Sequence, residues 1–333
     1  RKLKIVSQPP VLQLLLKNLI MPLDPQAQDF LDKAAVLRNL RLAEMPLDQI
    51  RALSMPIPGK PVSIGRREDR RVSTSSDDET IPVRIYWPEE DADHDTGYPA
   101  LVLYHGGGWV MGTLDVYDSL CHLLVQAGDC VVVSVDYRLA PEHRFPTAAE
   151  DAHAATVWTA ENARELGIDP SRIVVAGDSA GGNLAAVVAL MARDRASVKI
   201  AHQVLIYPIT DYSFDTPSYI DNAEGYFLTL ESMQWFWDQY LTCPEDGLNP
   251  YVSPMRAESL ADLPPAYVMT AEYDPLRDEG EAYARRLADS GVTTELERYD
   301  GLIHGFLRRT DLYDRANTAV AKIGQIMRDV KPV

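Results

Sequence analysis

Six short runs rich in apolar or β-branched residues recur along the chain: Ala100 to Tyr104, Cys130 to Val135, Ile173 to Ala176, Gln203 to Tyr207, Ala266 to Thr270 and Thr294 to Tyr299. Most are separated by helical stretches such as Ala148 to Leu166, Ser179 to Arg193 and Glu279 to Ser290. Runs of this kind belong to strands buried on both faces, which a parallel sheet provides when helices cover each side. The alternation therefore predicts an α/β fold with a mostly parallel central sheet flanked by helices. Arg67 to Trp87 instead alternates polar and apolar residues and reads as an antiparallel pair at the sheet edge. At 333 residues the chain suits one sizeable α/β domain with an appended element.

The appended element is predicted in residues 1–55, which are helical in pattern and precede the first strand. Asp24-Pro25 reads as an N-cap followed by proline at the first helical position. Phe30, Leu31, Ala34, Ala35, Leu37, Leu40 and Leu42 then recur at near-helical spacing. The proline-rich stretch Met55 to Pro61 is the expected junction, leaving residues 56–333 as the main domain. The strand–helix order breaks again at 209–254, where Tyr212, Phe214, Tyr219, Tyr226, Phe227, Trp235, Phe236, Trp237 and Tyr240 crowd one insertion. Aromatics so placed serve either as core or as the lining of a pocket above the sheet. The sequence leaves both open.

A formal net charge of -17 argues against nucleic acid and anionic membrane surfaces as partners. Cys121, Cys130 and Cys243 have neither metal-ligand spacing nor the even count of a disulfide framework. They read as thiols in a reducing compartment. No apolar run reaches membrane-spanning length, and Pro9-Pro10 and Lys17 interrupt the apolar start that imitates a signal peptide. The expectation is a cytoplasmic protein with no stable membrane insertion.

Gly177-Asp178-Ser179-Ala180-Gly181 follows the run Arg172 to Ala176 and opens a helical stretch. A serine at such a strand–turn–helix apex is strained and exposed, and its neighbours two positions away must lack bulk. A serine hydroxyl becomes nucleophilic only with a histidine to take its proton, a carboxylate to orient that histidine, and donors for the oxyanion. On this type of sheet the side chains follow the order Ser, Asp or Glu, His. Of seven histidines only His202 and His304 lie beyond Ser179, and His202 opens a predicted strand. His304 falls in the glycine-flanked loop Asp300 to Phe306 and is the candidate base.

The carboxylate should close the preceding strand. Asp274 fits best, because Pro275 forces a turn there. Asp278 competes but reads as an N-cap, with Glu279 in the first turn of the helix, and Glu272 is the third candidate. Oxyanion donors should be the amide of Ala180 and amides of the glycine loop His105-Gly106-Gly107-Gly108-Trp109. That loop lacks the lysine of a phosphate-binding P-loop, and His105 reads as a residue that positions it. No cluster has metal spacing. The residues predict a serine hydrolase without metal or cofactor.

Five segments carry a closer resemblance: HGGGW at His105 to Trp109, YRLAPEHRFP at Tyr137 to Pro146, GDSAGGNLAA around Ser179, DPLRDEG at Asp274 to Gly280, and HGF at His304 to Phe306. Together they resemble the hormone-sensitive lipase family of carboxylesterases, the bacterial family IV esterases, over roughly Arg67 to the C-terminus. The resemblance implies an α/β-hydrolase fold with a helical cap from the N-terminal segment, metal-independent catalysis and a frequent homodimer. It implies Ser179, Asp274 and His304 as the triad, and Gly107, Gly108 and Ala180 as oxyanion donors, with Gly106 the alternative to one glycine.

The expected activity is hydrolysis of short- to medium-chain acyl esters through an acyl-enzyme. Two rival readings are an interfacial lipase that uses Leu12, Leu14 to Leu16, Leu19 and Ile20 as a membrane-facing helix, and a non-catalytic ligand-binding protein on a hydrolase scaffold. The negative charge opposes the first; the presence of all three triad residues opposes the second.

Overall fold

The computed structural model describes residues 22–34, 41–56, 62–74, 79–89 and 97–333. The apolar N-terminal stretch, Ala35, Leu37, Leu40 and most of the proline-rich junction lie outside these residues.

Eight strands form one sheet in the order β1-β2-β4-β3-β5-β6-β7-β8. They are β1 (Arg66–Ser73), β2 (Thr80–Trp87), β3 (Tyr98–Tyr104), β4 (Val131–Val135), β5 (Ile168–Asp178), β6 (His202–Ile206), β7 (Ala266–Tyr273) and β8 (Thr294–Ile303). The β1–β2 and β2–β4 pairs are antiparallel and all others parallel. The polar–apolar alternation of Arg67 to Trp87 thus marks the antiparallel edge, and five of the six runs are the sheet's interior; the sixth, Thr294 to Tyr299, lies in β8 at the opposite edge, where Glu295, Glu297 and Arg298 are exposed or half-buried. β4 and β7 are buried at every position, which is why Val131 to Val135 and Ala266 to Thr270 show no alternation.

Successive strand residues feed opposite cores. Val102, Val133, Val175, Leu205 and Val268 pack with α4 (Thr147–Glu161), α6 (Ala180–Arg195) and α9 (Arg277–Asp289). Leu101, Leu103, Val132, Val174, Val204 and Met269 pack with α3 (Leu114–Gly128), the C-terminal helix α10 (Asp314–Asp329) and α1 (Pro25–Lys33). Asp24 caps α1 as its sequence predicts, accepting from the Gln26 amide at 2.8 Å with Pro25 in the first turn.

The other α-helices among the described residues are α2 (Leu47–Ala52), α5 (Ala163–Leu166), α7 (Pro217–Asp221) and α8 (Leu230–Tyr240). From α2, Arg51 donates to the carbonyls of Val110 at 2.9 Å and Ala140 at 3.1 Å and pairs with Glu142 at 2.6 Å. From α8, the Tyr240 ring stacks on Trp109 with centroids 4.2 Å apart, and Trp237 lies 4.7 Å from Trp109. Both the N-terminal stretch and the aromatic insertion therefore grip the segment that follows β3. Tyr219, Trp237 and Tyr240 are fully buried, so these insertion aromatics are core, whereas Phe227 remains exposed.

His202 opens β6 as expected, and burial pushes its imidazole down from 6.5 to about 4. Below pH 6.5 the unfolded chain takes up a proton that the folded chain refuses, so this stabilisation is whole above pH 6.5 and is lost as the pH falls toward 4. Buried His105 has the same sign, while Asp136, pushed up to about 6 by burial, has the opposite one. The difference between variants isolates one group: His202→Gln should lose less melting temperature than the wild type between about pH 7 and about pH 5. Identical pH slopes in thermal unfolding would contradict the assignment.

Candidate active site

β5 runs into a turn whose apex is Ser179, with φ 59° and ψ -120°, a left-handed conformation that side chains rarely adopt. The turn is closed by neighbours without side chains. A Cβ on Gly177 would stand 2.2 Å from the Gly181 carbonyl oxygen, and one on Gly181 would stand 2.0 Å from that of Tyr104. The strain is held by the Ser179 amide donating to Ile206 O at 2.9 Å and by Asn183, the start of the α6 ladder, donating to Ser179 O at 3.0 Å. Because β3 leads to β4 on one side and β5 lies on the other, this turn sits at the sheet's topological switch point, at the carboxyl ends of the strands.

Asp274 follows β7 and His304 follows β8, so both reach the same end of the sheet. His304 Nε2 lies 3.0 Å from Ser179 Oγ, and His304 Nδ1 lies 2.7 Å from Asp274 Oδ2. A carboxylate only accepts, so Nδ1 carries the proton and Nε2 is free to accept from the hydroxyl. Asp274 is fully buried; its other oxygen accepts from the Leu276 amide at 2.9 Å. Ser179 and His304 are each buried, with 8% and 7% of their surface left open.

Two sequence expectations change, for Asp278 and for the segment before His304. The helix after Asp274 begins at Arg277 with Leu276 at its N-cap, so Asp278 is not the cap. Asp274 has already turned the chain, and Asp278 instead accepts from the Ser218 amide at 2.8 Å, tying α9 to α7. Glu272 points away from His304 and accepts from the Gly301 amide at 2.6 Å. That bond marks an irregularity in the β7–β8 register, through which β8 continues to Ile303, so Asp300 to Ile303 is strand rather than loop.

The glycine loop bends through φ 122° at Gly107 and 60° at Gly108. Among the described residues the amides of Gly107, Gly108 and Ala180 donate to no protein acceptor. The Gly106 amide differs: it donates to Tyr117 Oη at 2.7 Å and Asp178 Oδ1 at 3.0 Å. It is therefore not available to an oxyanion. Gly108 lies flat against Phe236 of α8, where a Cβ would stand 2.1 Å from the ring. His105 is buried and held neutral, pushed down to about 4 by burial, and Nδ1–H donates to Gly106 O at 2.9 Å. It braces the loop rather than acting as a base.

Asp178 and Tyr117 carried no signal in the sequence beyond the aspartate's place within the glycine motif. Tyr117 comes from α3, sixty-one residues away, and donates to both Asp178 oxygens at 2.8 Å and 3.0 Å. Among the described residues no group of histidine, cysteine and acidic side chains is arranged to hold a metal ion.

A family profile described as an alpha/beta hydrolase fold matches residues 101–308. The arylesterase of Saccharolobus solfataricus is 38% identical over 317 residues, covering 93% of this chain and 99% of that protein. The ethyl acetate hydrolase of Pseudomonas putida is 41% identical over 256 residues, covering 77% of this chain and 80% of that protein. Among solved structures, the hyperthermophilic esterase of the archaeon Pyrobaculum calidifontis superposes with a TM-score of 0.84 at 42% identity, covering 92% of this chain and 98% of that one.

Proposed function

The chain belongs to the α/β-hydrolase fold family and is a carboxylesterase of the hormone-sensitive lipase type, and from that premise we propose a Ser-His-Asp acyl-enzyme mechanism acting on short- to medium-chain acyl esters. The reading rests on one observation, the hydrogen-bonded line from Ser179 Oγ through the two His304 nitrogens to Asp274.

Ser179 Oγ attacks the ester carbonyl while His304 Nε2 takes its proton. The carbonyl oxygen becomes an oxyanion facing the amides of Gly107, Gly108 and Ala180, which among the described residues have no protein acceptor to give up. Asp274 stabilises the imidazolium and keeps its proton on Nδ1. His304 then protonates the leaving alcohol oxygen, the C–O bond breaks, and an acyl-Ser179 ester remains. Water then attacks the acyl carbonyl and loses a proton to His304; the C–Oγ bond breaks, Ser179 Oγ takes that proton from His304, and the acid leaves.

Residues 1–55, of which 22–34 and 41–55 are described, and the 209–254 insertion act in this reading as a cap over the carboxyl ends of the strands, anchored through Arg51 and through Trp237 and Tyr240 on Trp109. The Phe236 ring against Gly108 narrows the space beside the oxyanion loop, which favours small acyl groups. The ethyl acetate hydrolase among the relatives is consistent with that size. Among the described residues no helix is long and apolar enough to cross a membrane.

Turnover of p-nitrophenyl acetate, butyrate, octanoate and palmitate tests the chain-length preference. The kcat/KM should peak at the short esters and fall about tenfold or more by palmitate. A maximum at palmitate that appears only when the ester is emulsified would favour the interfacial reading instead.

A further inference from the structure

Beneath the oxyanion loop lies a group of polar side chains that the mechanism above does not use. Asp178, one residue before Ser179, is 3% exposed, and its carboxylate accepts from Tyr117 Oη and from the Gly106 amide. The Tyr117 hydroxyl has one proton. It gives that proton to the carboxylate and takes the Gly106 N–H on its lone pair at 2.7 Å. Gly106 is thus pinned from two sides, immediately ahead of the two amides assigned to the oxyanion.

Arg308, four residues past His304, places its guanidinium carbon 5.0 Å over the Tyr117 ring. The residue is half-buried, and its Nε is sealed from solvent with no hydrogen-bond partner among the described residues. The rest of the guanidinium meets Tyr117, by hydrogen bonding and by charge, and its charge also reaches Asp178. Burial pushes the Asp178 carboxyl up, and the Arg308 charge opposes that shift. An uncompensated carboxylate one residue from the nucleophile would repel the oxyanion as it forms, and repulsion is strong where water is excluded.

We infer that Asp178, Tyr117 and Arg308 form a positioning device, in which Arg308 balances the charge of Asp178 and the shared Tyr117 hydroxyl locks Gly106 so that the Gly107 and Gly108 amides face the reacting carbonyl. The device joins three segments that share no strand pairing with one another at these residues: the glycine loop, the turn carrying Ser179, and the chain after His304. It rests on the proposed oxyanion role of Gly107 and Gly108. None of its members touches the substrate.

Tyr117→Phe removes the hydroxyl and keeps the ring under Arg308. Arg308→Met removes the charge at similar length, and Arg308→Lys restores it. The readouts are the rate and amplitude of the p-nitrophenol burst from p-nitrophenyl acetate, KM, the pH profile of kcat, and the stoichiometry of labelling by a fluorophosphonate. Tyr117→Phe and Arg308→Met should slow acylation by about 10- to 100-fold with KM little changed and labelling still reaching one per chain. In Arg308→Met the acid limb of kcat should move to higher pH, since a protonated Asp178 no longer accepts both bonds. Arg308→Lys should recover most of the rate and the wild-type limb.

Acylation at the wild-type rate in folded Tyr117→Phe would overturn the inference, whether or not Arg308→Met folds. So would an Arg308→Lys as slow, and as shifted in pH, as Arg308→Met. A wild-type protein that the fluorophosphonate does not label at Ser179 would remove the underlying site reading, which is a different result from either of these.

Discussion

Ser179→Ala should lose about 10⁴- to 10⁶-fold in kcat toward a simple ester while keeping its fold. The side chain is small, and among the described residues its Oγ bonds only to His304 Nε2, so removing it strands that one nitrogen alone. The backbone bonds that hold the apex, from the Ser179 amide to Ile206 O and from Asn183 to Ser179 O, do not involve the side chain. Serine already carries the strain of the left-handed φ of 59°, and alanine carries it equally, so the stability should change little. Steady-state kinetics on the purified variant, with its circular dichroism and melting temperature, check both expectations. Turnover within about tenfold of the wild type in a folded protein would remove Ser179 as the nucleophile.

Asp274→Asn should cost about 10⁴-fold in kcat, because an amide facing His304 Nδ1 favours the tautomer that puts the proton on Nε2, where the base must be free. Asn also keeps an oxygen for the Leu276 amide, so the turn after β7 should survive. Asp278→Asn is the control. Its carboxylate receives the Ser218 amide and the Arg277 side chain, not His304, so activity should hold while stability falls by about 1 kcal/mol. The opposite ranking in kcat would move the orienting carboxylate from Asp274 to Asp278.

The sheet was legible in the chain because burial on both faces writes itself into consecutive residues, as in Val131 to Val135. The Ser179 turn was legible because its sterics demand glycine on both sides. Chain order narrowed seven histidines to His304 without any geometry. Choosing among Asp274, Asp278 and Glu272 was harder, since all three are acids within one turn of the end of β7. What separates them is the direction each side chain takes: toward His304, toward Ser218 and toward Gly301. Glu279 shows the same limit. Its place in a helix's first turn suits an exposed acid, yet it is buried and accepts from the Thr210 amide at 2.6 Å, with burial holding its carboxyl well above the usual range.

Long-range contacts left no trace in local pattern. Tyr117 lies on an apolar face of α3, where an aromatic residue reads simply as core, and nothing in its spacing points to Asp178 or Arg308. The packing of Trp109 on Trp237 and Tyr240 was invisible for the same reason, although the crowding of aromatics in the insertion was plain. The helix α10 is the counter-example, since its buried Ala316, Ala319, Val320 and Ile323 recur at helical spacing and are legible from periodicity alone.

The central claim is that the ester's acyl group passes through a covalent bond to Ser179, and trapping that bond tests it most directly. The protein is mixed with p-nitrophenyl acetate, quenched in acid within the burst, digested, and mapped by mass spectrometry. The account predicts an acetyl group on the peptide that contains Ser179, in amount equal to the burst and absent from Ser179→Ala. A burst with no acetylated peptide, or with the acetyl group on another residue that persists in Ser179→Ala, would contradict it.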